Sequence, residues 1–132
     1  MYPALGIDYG KSKIGLALTL GSLVEPLIAV SPLRIFSVLP HLVTFHNVKT
    51  LVIGLPDGPL RPEVIDFSAK LTVLFAESSV RIVFQDETLS TYDAQHLLFH
   101  TTSKRRHQRE HSVAAAVILQ TWLDSIQSSI VK

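Results

Sequence analysis

Asp8 sits where a carboxylate is least expected, inside the apolar run Leu5-Gly6-Ile7-Asp8-Tyr9-Gly10 that resumes at Ile14-Gly15-Leu16-Ala17-Leu18. Such an acid in a core strand is costly unless it is paired or binds a cation. Gly10 can turn the chain sharply just after it, since glycine tolerates positive φ, and Lys11 and Lys13 follow. One acid at the end of a buried strand, with two lysines beside it, suits metal or phosphate chemistry. A second acidic place, Asp86-Glu87, follows the apolar run Val80–Phe84. Two acids brought together repel, and a divalent cation removes that penalty. A few hard oxygen donors with open positions suit Mg2+ or Mn2+. The alternative for Asp86 or Glu87 is a cap for a helix starting near Ser90. The third place is basic. Lys104, Arg105, Arg106 and Arg109 fall close together, flanked by His100, His107 and His111. This cluster is either a solvated basic loop or a patch that contacts phosphates.

The composition narrows these options. The chain has 132 residues and a net charge of +1, so global charge does not announce a polyanion partner. It has no cysteine, which excludes disulfides, thiolate zinc sites and cysteine nucleophiles and is compatible with a cytoplasmic location. No serine–histidine pair with a partnering acid stands at motif spacing. No apolar run approaches the roughly 20 residues that span a bilayer. Asp8 and the Gly10–Lys13 turn interrupt any signal-like opening. The expectation is one soluble domain over residues 1–132, with no membrane partner.

The elements that must position these residues are legible in outline. Ala4–Asp8, Lys13–Leu20 and Leu23–Val30 read as strands joined by glycine turns, an antiparallel meander. Pro26 marks the third as an edge strand or a bulge. Leu33–His46 has helical spacing, with Pro40 as a kink or break. Thr50–Gly54 and Val80–Phe84 read as strands buried on both faces, separated by a helix over Pro62–Glu77. Ser90, with Asp93 in the capping-box position, starts a helix reaching His100. A last helix runs from about His107 to Ser125. The order implies a five-stranded mixed α/β sheet, meander first and parallel strands after, with helices on both faces. Ligands collect at the carboxyl edge of such a sheet. Asp8 and Asp86-Glu87 fall there, at strand ends this topology can make neighbours.

Five segments then match one family in order and spacing. They are Leu5–Ala17, Val24-Glu25-Pro26-Leu27, Leu51–Pro56, Asp86–Thr91 and Val113–Leu123. Together they resemble the YqgF/RuvX family, Holliday-junction-resolvase-like proteins of the RNase H-like superfamily linked to maturation of pre-16S rRNA. The resemblance implies an RNase H-like fold and a metal-dependent nuclease. Asp8 would be the first carboxylate, bridging two cations, and Glu87 the second, with Asp86 beside it. Gly54-Leu55-Pro56 would form a loop near the substrate, and Lys11, Lys13 and the 104–109 cluster would contact phosphates. The implied substrate is structured RNA, such as pre-rRNA, or branched DNA.

The chain departs from the family pattern at its third acid. The alignment puts His111 in that place, with Glu110 one position earlier. On a helix His107 and His111 lie about 40° apart, and Glu110 about 60° to the other side of His107. Imidazole ligates Mn2+ and, less happily, Mg2+, and carries protons near neutral pH. The loop Asp57–Pro62 is more compact than the family's, and no acid follows the second strand at Thr19-Leu20-Gly21. The altered third position motivates an alternative: an RNA-binding or ribosome-assembly protein of the same fold with little or no catalysis. A two-lobed nucleotide-binding protein shares the opening hairpin but needs a longer chain.

Overall fold

Alternation along the first strand decides the architecture. Leu5 and Ile7 are fully buried on one side of it, while Ala4 and Gly6 face the other. One side is built for large side chains and the other for a close approach. The computed structural model describes residues 3–86 and 103–131, with side chains of the last stretch described over 110–126. Its elements are β1 (Ala4–Asp8), β2 (Ile14–Leu20), β3 (Leu23–Val30), α1 (Pro32–His46), β4 (Thr50–Leu55), α2 (Arg61–Leu74), β5 (Arg81–Asp86) and α3 (Ser103–Val131).

The strands form one sheet in the order β3-β2-β1-β4-β5. β1–β2 and β2–β3 pair antiparallel, and β1–β4 and β4–β5 pair parallel. Gly21 closes the β2–β3 hairpin at φ 65°, the left-handed conformation that two-residue hairpin loops require. Pro26 fulfils both expectations at once. β3 is an edge strand, and its register slips by one residue between Ile28 and Pro26. Thr19 ties the start of the sheet together: Ala4 N–H donates to Thr19 Oγ1 at 2.8 Å, and the hydroxyl is buried.

α1 and α2 cover one face. Ile35 and Leu39 of α1 and Val64, Phe67 and Leu71 of α2 join Leu5, Ile7, Leu16, Leu51 and Ile53 in the larger core. Pro32 starts α1, where a missing N–H costs nothing, and Asn47 ends it at φ 55°. α3 covers the opposite face, where Ala115, Ile118 and Leu119 pack on Ala4, Ala17 and Val52.

Several expectations need correction. Gly10 has no positive φ; the glycines that do are Gly21 and Gly58. Gly10 is needed for space, because a Cβ there would lie 2.5 Å from the Lys13 carbonyl oxygen. Of the two outcomes read for Pro40, kink or break, the break does not occur, since α1 runs through it. β5 is not buried on both faces: none of its residues is fully buried, and Phe84 is 44% exposed. α3 begins by Ser103, so the four basic residues lie on its first two turns rather than in a loop. The helix expected over Ser90–His100 lies outside the described residues. Among the described residues no helix is long and apolar enough to cross a membrane.

Candidate nuclease site

Asp8 closes β1 at the carboxyl edge of the sheet and pairs in register with Gly15 of β2. By strand alternation its carboxylate falls on the side of Ala4 and Gly6, the face covered by α3. That face is lined by small residues for a steric reason. A Cβ on Gly6 would lie 2.7 Å from the Ala115 carbonyl oxygen and 2.8 Å from Leu119 Cβ. A Cβ on Gly15 would lie 2.7 Å from the Ser112 nitrogen and closer still to the His111 carbonyl. The α3 backbone therefore rests directly on β1 and β2, and the residue it delivers beside Asp8 is His111.

His111 Nδ1 lies 3.8 Å from Asp8 Oδ2, with the side chains 33% and 17% exposed. This is an ion-pair distance, longer than a formed hydrogen bond. The pKa of His111 is raised above the ordinary 6.5. The neighbouring Asp8 carboxylate, which favours the protonated ring, is the main cause, and burial opposes it. The negative charges of Asp8 and Glu110 add to the rise, and Lys13 subtracts. Of the two candidates for the third position, His111 is the one paired with Asp8. Glu110 is half-buried and acts on it through charge.

The remaining candidates are placed unevenly. Lys13 is exposed beside His111. Lys11 is exposed and pairs with Glu63 of α2 at 3.9 Å. Asp86 is not a neighbour of Asp8. β4 lies between β1 and β5, which separates the strand axes by about 9.5 Å. Asp86 also shares the parity of Ile82, which packs into the α1/α2 core, so alternation turns it away from the Asp8 side. Glu87, and the side chains of His107, Lys104, Arg105, Arg106 and Arg109, lie outside the described residues. Tyr9 and Glu63, which the sequence reading passed over, border the site. Tyr9 stacks on Phe67 with ring centroids 4.9 Å apart. Its hydroxyl pKa is pushed up to about 12, by burial first and then by Glu63 as hydrogen-bond acceptor and as charge.

With this geometry in place, the sequence profile of the family described as "RuvX: Holliday junction resolvase" matches residues 3–125. The chain belongs to the RuvX family. Curated relatives span it almost end to end. A provisionally named pre-16S rRNA nuclease of Rickettsia rickettsii is 33% identical, covering 96% of this chain and 88% of its own length. Proteins of the same name from Moorella thermoacetica and Caldanaerobacter subterraneus are 33% and 30% identical. They cover 92% and 95% of this RuvX-family chain and 94% and 98% of their own. Two solved structures share the fold. T. thermophilus RuvC in complex with a Holliday junction aligns with a TM-score of 0.58 at 14% identity, over 89% of this chain and 92% of RuvC. Fowlpox virus resolvase with Holliday junction DNA aligns at 0.57 and 9% identity, over 92% and 98%. The five-stranded mixed sheet is thus an RNase H-like fold.

The donors present can be tested against a divalent cation. Bonds of roughly 2.1 Å let one ion touch two donors up to about 4.2 Å apart, and Asp8 and His111 meet that limit at 3.8 Å. One carboxylate and one imidazole suit Mn2+ better than Mg2+. Among the described residues no third carboxylate or imidazole joins them.

Proposed function

We propose that this chain is a divalent-metal-dependent nuclease that hydrolyses phosphodiester bonds of structured nucleic acid in the cytoplasm. The end of pre-16S rRNA is the substrate its relatives' names favour. The supporting observation is the Asp8–His111 pair at the carboxyl edge of the sheet, 3.8 Å apart, in a chain of the RuvX family. Asp8, His111 and Glu87 would hold Mg2+ or Mn2+. When bound, such a cation supplies positive charge that activates water and stabilises the charge developing on the phosphate.

The chain's own residues do the rest. Asp8, most of its surface withdrawn from water, keeps a fixed direction because Gly15 seats α3 against it. His111 is near enough to hold or release a proton at Nδ1 beside the Asp8 carboxylate. Lys13, exposed on the adjacent turn, can take a phosphate oxygen, as can the basic first turns of α3. Such contacts position a strand without reading its sequence.

The test is cleavage of an end-labelled pre-16S rRNA fragment and of a four-way DNA junction with Mn2+. Asp8→Asn removes the charge with little change in shape. Loss of cleavage in that variant is expected. Unchanged cleavage by a clean preparation would overturn the assignment. A second reading is favoured by one observation: His111 Nδ1 lies 3.8 Å from Asp8 Oδ2, so that His111, when protonated, would neutralise Asp8 without any cation. On that reading the chain binds rRNA and does not cut it. Calorimetry that finds no Mn2+ binding, with RNA binding that weakens steeply in salt, would select it.

A further inference from the structure

Asp8 and Tyr9 are consecutive, and strand alternation sends them to opposite faces of the sheet. Asp8 goes to α3. Tyr9 goes to α2, where its ring meets Phe67 at 4.9 Å with the planes tilted by 43°. Phe67 is buried and in turn meets Phe36 of α1 at 5.8 Å. The three rings connect the end of β1 to both helices of that face. A second link lies beside them. Glu63, on the first turn of α2, acts on the Tyr9 hydroxyl. The same carboxylate pairs with Lys11 at 3.9 Å, two residues further along the turn. Glu63 thus ties the residue after Gly10 to the first turn of α2.

We propose that Tyr9 is the positioning residue for Asp8: its ring, packed on Phe67, pins the backbone just after Asp8, which aims the carboxylate at His111. Asp8 is paired with Gly15, but the chain leaves the sheet at Tyr9 and rejoins it only at Ile14, so what holds residue 9 is its packing on α2. With residue 9 held on one face, residue 8 is held on the other. Packing carries most of this. The Lys11–Glu63 pair is exposed and adds little, so removing the ring matters more than removing the hydroxyl or the charge. The inference rests on Asp8 as the acting carboxylate.

The experiment compares Tyr9→Ala, Tyr9→Phe and Glu63→Gln with Leu39→Ala, a core truncation in α1 that is remote from the turn. Imidazole 15N shifts of His111 at fixed pH, in metal-free protein, report its pairing with Asp8 without any catalysis. Tyr9→Ala is expected to abolish the paired signature and to lower kcat at least tenfold, with KM for the nucleic acid within twofold. Tyr9→Phe and Glu63→Gln should keep the signature and stay within threefold in kcat. Leu39→Ala should lower the melting temperature yet leave both readouts unchanged well below it. A paired signature retained in Tyr9→Ala, or the same loss in Leu39→Ala, would overturn the proposal. Wild-type protein that shows the pairing but does not cleave would refute the nuclease reading and leave this one standing.

Discussion

Gly15→Ala tests the packing that brings the site together. An added Cβ would meet Ser112 N at 2.7 Å, where ordinary contact begins at 3.4 Å. α3 must therefore retreat by at least 0.7 Å, and by more to clear the His111 carbonyl. The obstructing atoms are backbone of a 29-residue helix, so no side-chain rotation relieves them. Overpacking of this kind costs about 1–3 kcal/mol, and backbone collision belongs at the upper end. Replacing a strand glycine by alanine returns roughly 0.5–1 kcal/mol. The net loss is about 2 kcal/mol, or about 8 °C in melting temperature for a domain of this size. Gly21→Ala is the control. Nothing lies within 4 Å of its added Cβ, so its cost comes from φ 65° alone. Thermal melting by circular dichroism measures both variants. Gly15→Ala should melt well below wild type and lose the 15N signature of the His111–Asp8 pair, while Gly21→Ala keeps that signature. A Gly15→Ala protein that melts within about 2 °C of wild type, a shift worth under 1 kcal/mol, with His111 still paired, would refute the reasoning.

Other outcomes follow from the same geometry. Thr19→Val leaves the buried Ala4 N–H without the acceptor now at 2.8 Å and should cost about 1–3 kcal/mol by urea denaturation, whereas Thr19→Ser should restore most of it. The pKa of His111 is raised in the folded state, so its pairing with Asp8 stabilises the metal-free protein fully below about pH 6.5 and fades as pH rises through the folded value. Partial exposure limits the effect to at most about 1 kcal/mol. Urea midpoints in EDTA should show wild type ahead of His111→Gln at pH 5.5 and level with it at alkaline pH. A constant gap would contradict the pairing. His111→Asp places two carboxylates together, so the metal-free protein should melt lower than wild type and gain more on adding Mg2+. An equal Mg2+ response in the two proteins would argue against a cation at Asp8.

The fold was readable because its signals are local. Alternating apolar runs, Gly21-Ser22, and Pro26 in a strand each carry their own stereochemical meaning, and the mixed five-stranded sheet followed from them, though not which strand stands between β1 and β5. Of the candidate site, Asp8 was legible from its apolar flanks and His111 only through resemblance, and the structure sets the two side by side. Asp86 misled because adjacency in sequence to a strand end says nothing about parity. Counting faces from Ile82 turns it away from Asp8, and the strand order puts β4 between them. Gly10 misled differently. Glycine was read as a torsion and turned out to be a clearance. Gly6 and Gly15 carried a usable signal that was missed: glycine inside a strand marks the close approach of another backbone. Tyr9 was missed because an aromatic residue beside an acid has no motif of its own. Its role needs Phe67, which lies far along the chain.

The clearance also explains how the third position can change its chemistry without changing the fold. α3 reaches the sheet through backbone atoms, the His111 carbonyl, the Ser112 nitrogen and the Ala115 carbonyl, which meet Gly15 and Gly6. None of these contacts depends on the side chain at position 111. The helix would sit at the same height with an acid there, and the side chain would still emerge beside Asp8. What changes is charge. An acid at that place needs a cation to relieve its repulsion with Asp8. His111 relieves it by itself when protonated, and yields a neutral nitrogen donor when it is not. Metal binding must then displace a proton that Asp8 helps to retain. Affinity for a divalent cation should therefore rise with pH in this chain more steeply than in His111→Asp. Mn2+ calorimetry at pH 6 and pH 8 measures the difference, and parallel affinities in the two proteins would show that His111 is not a ligand.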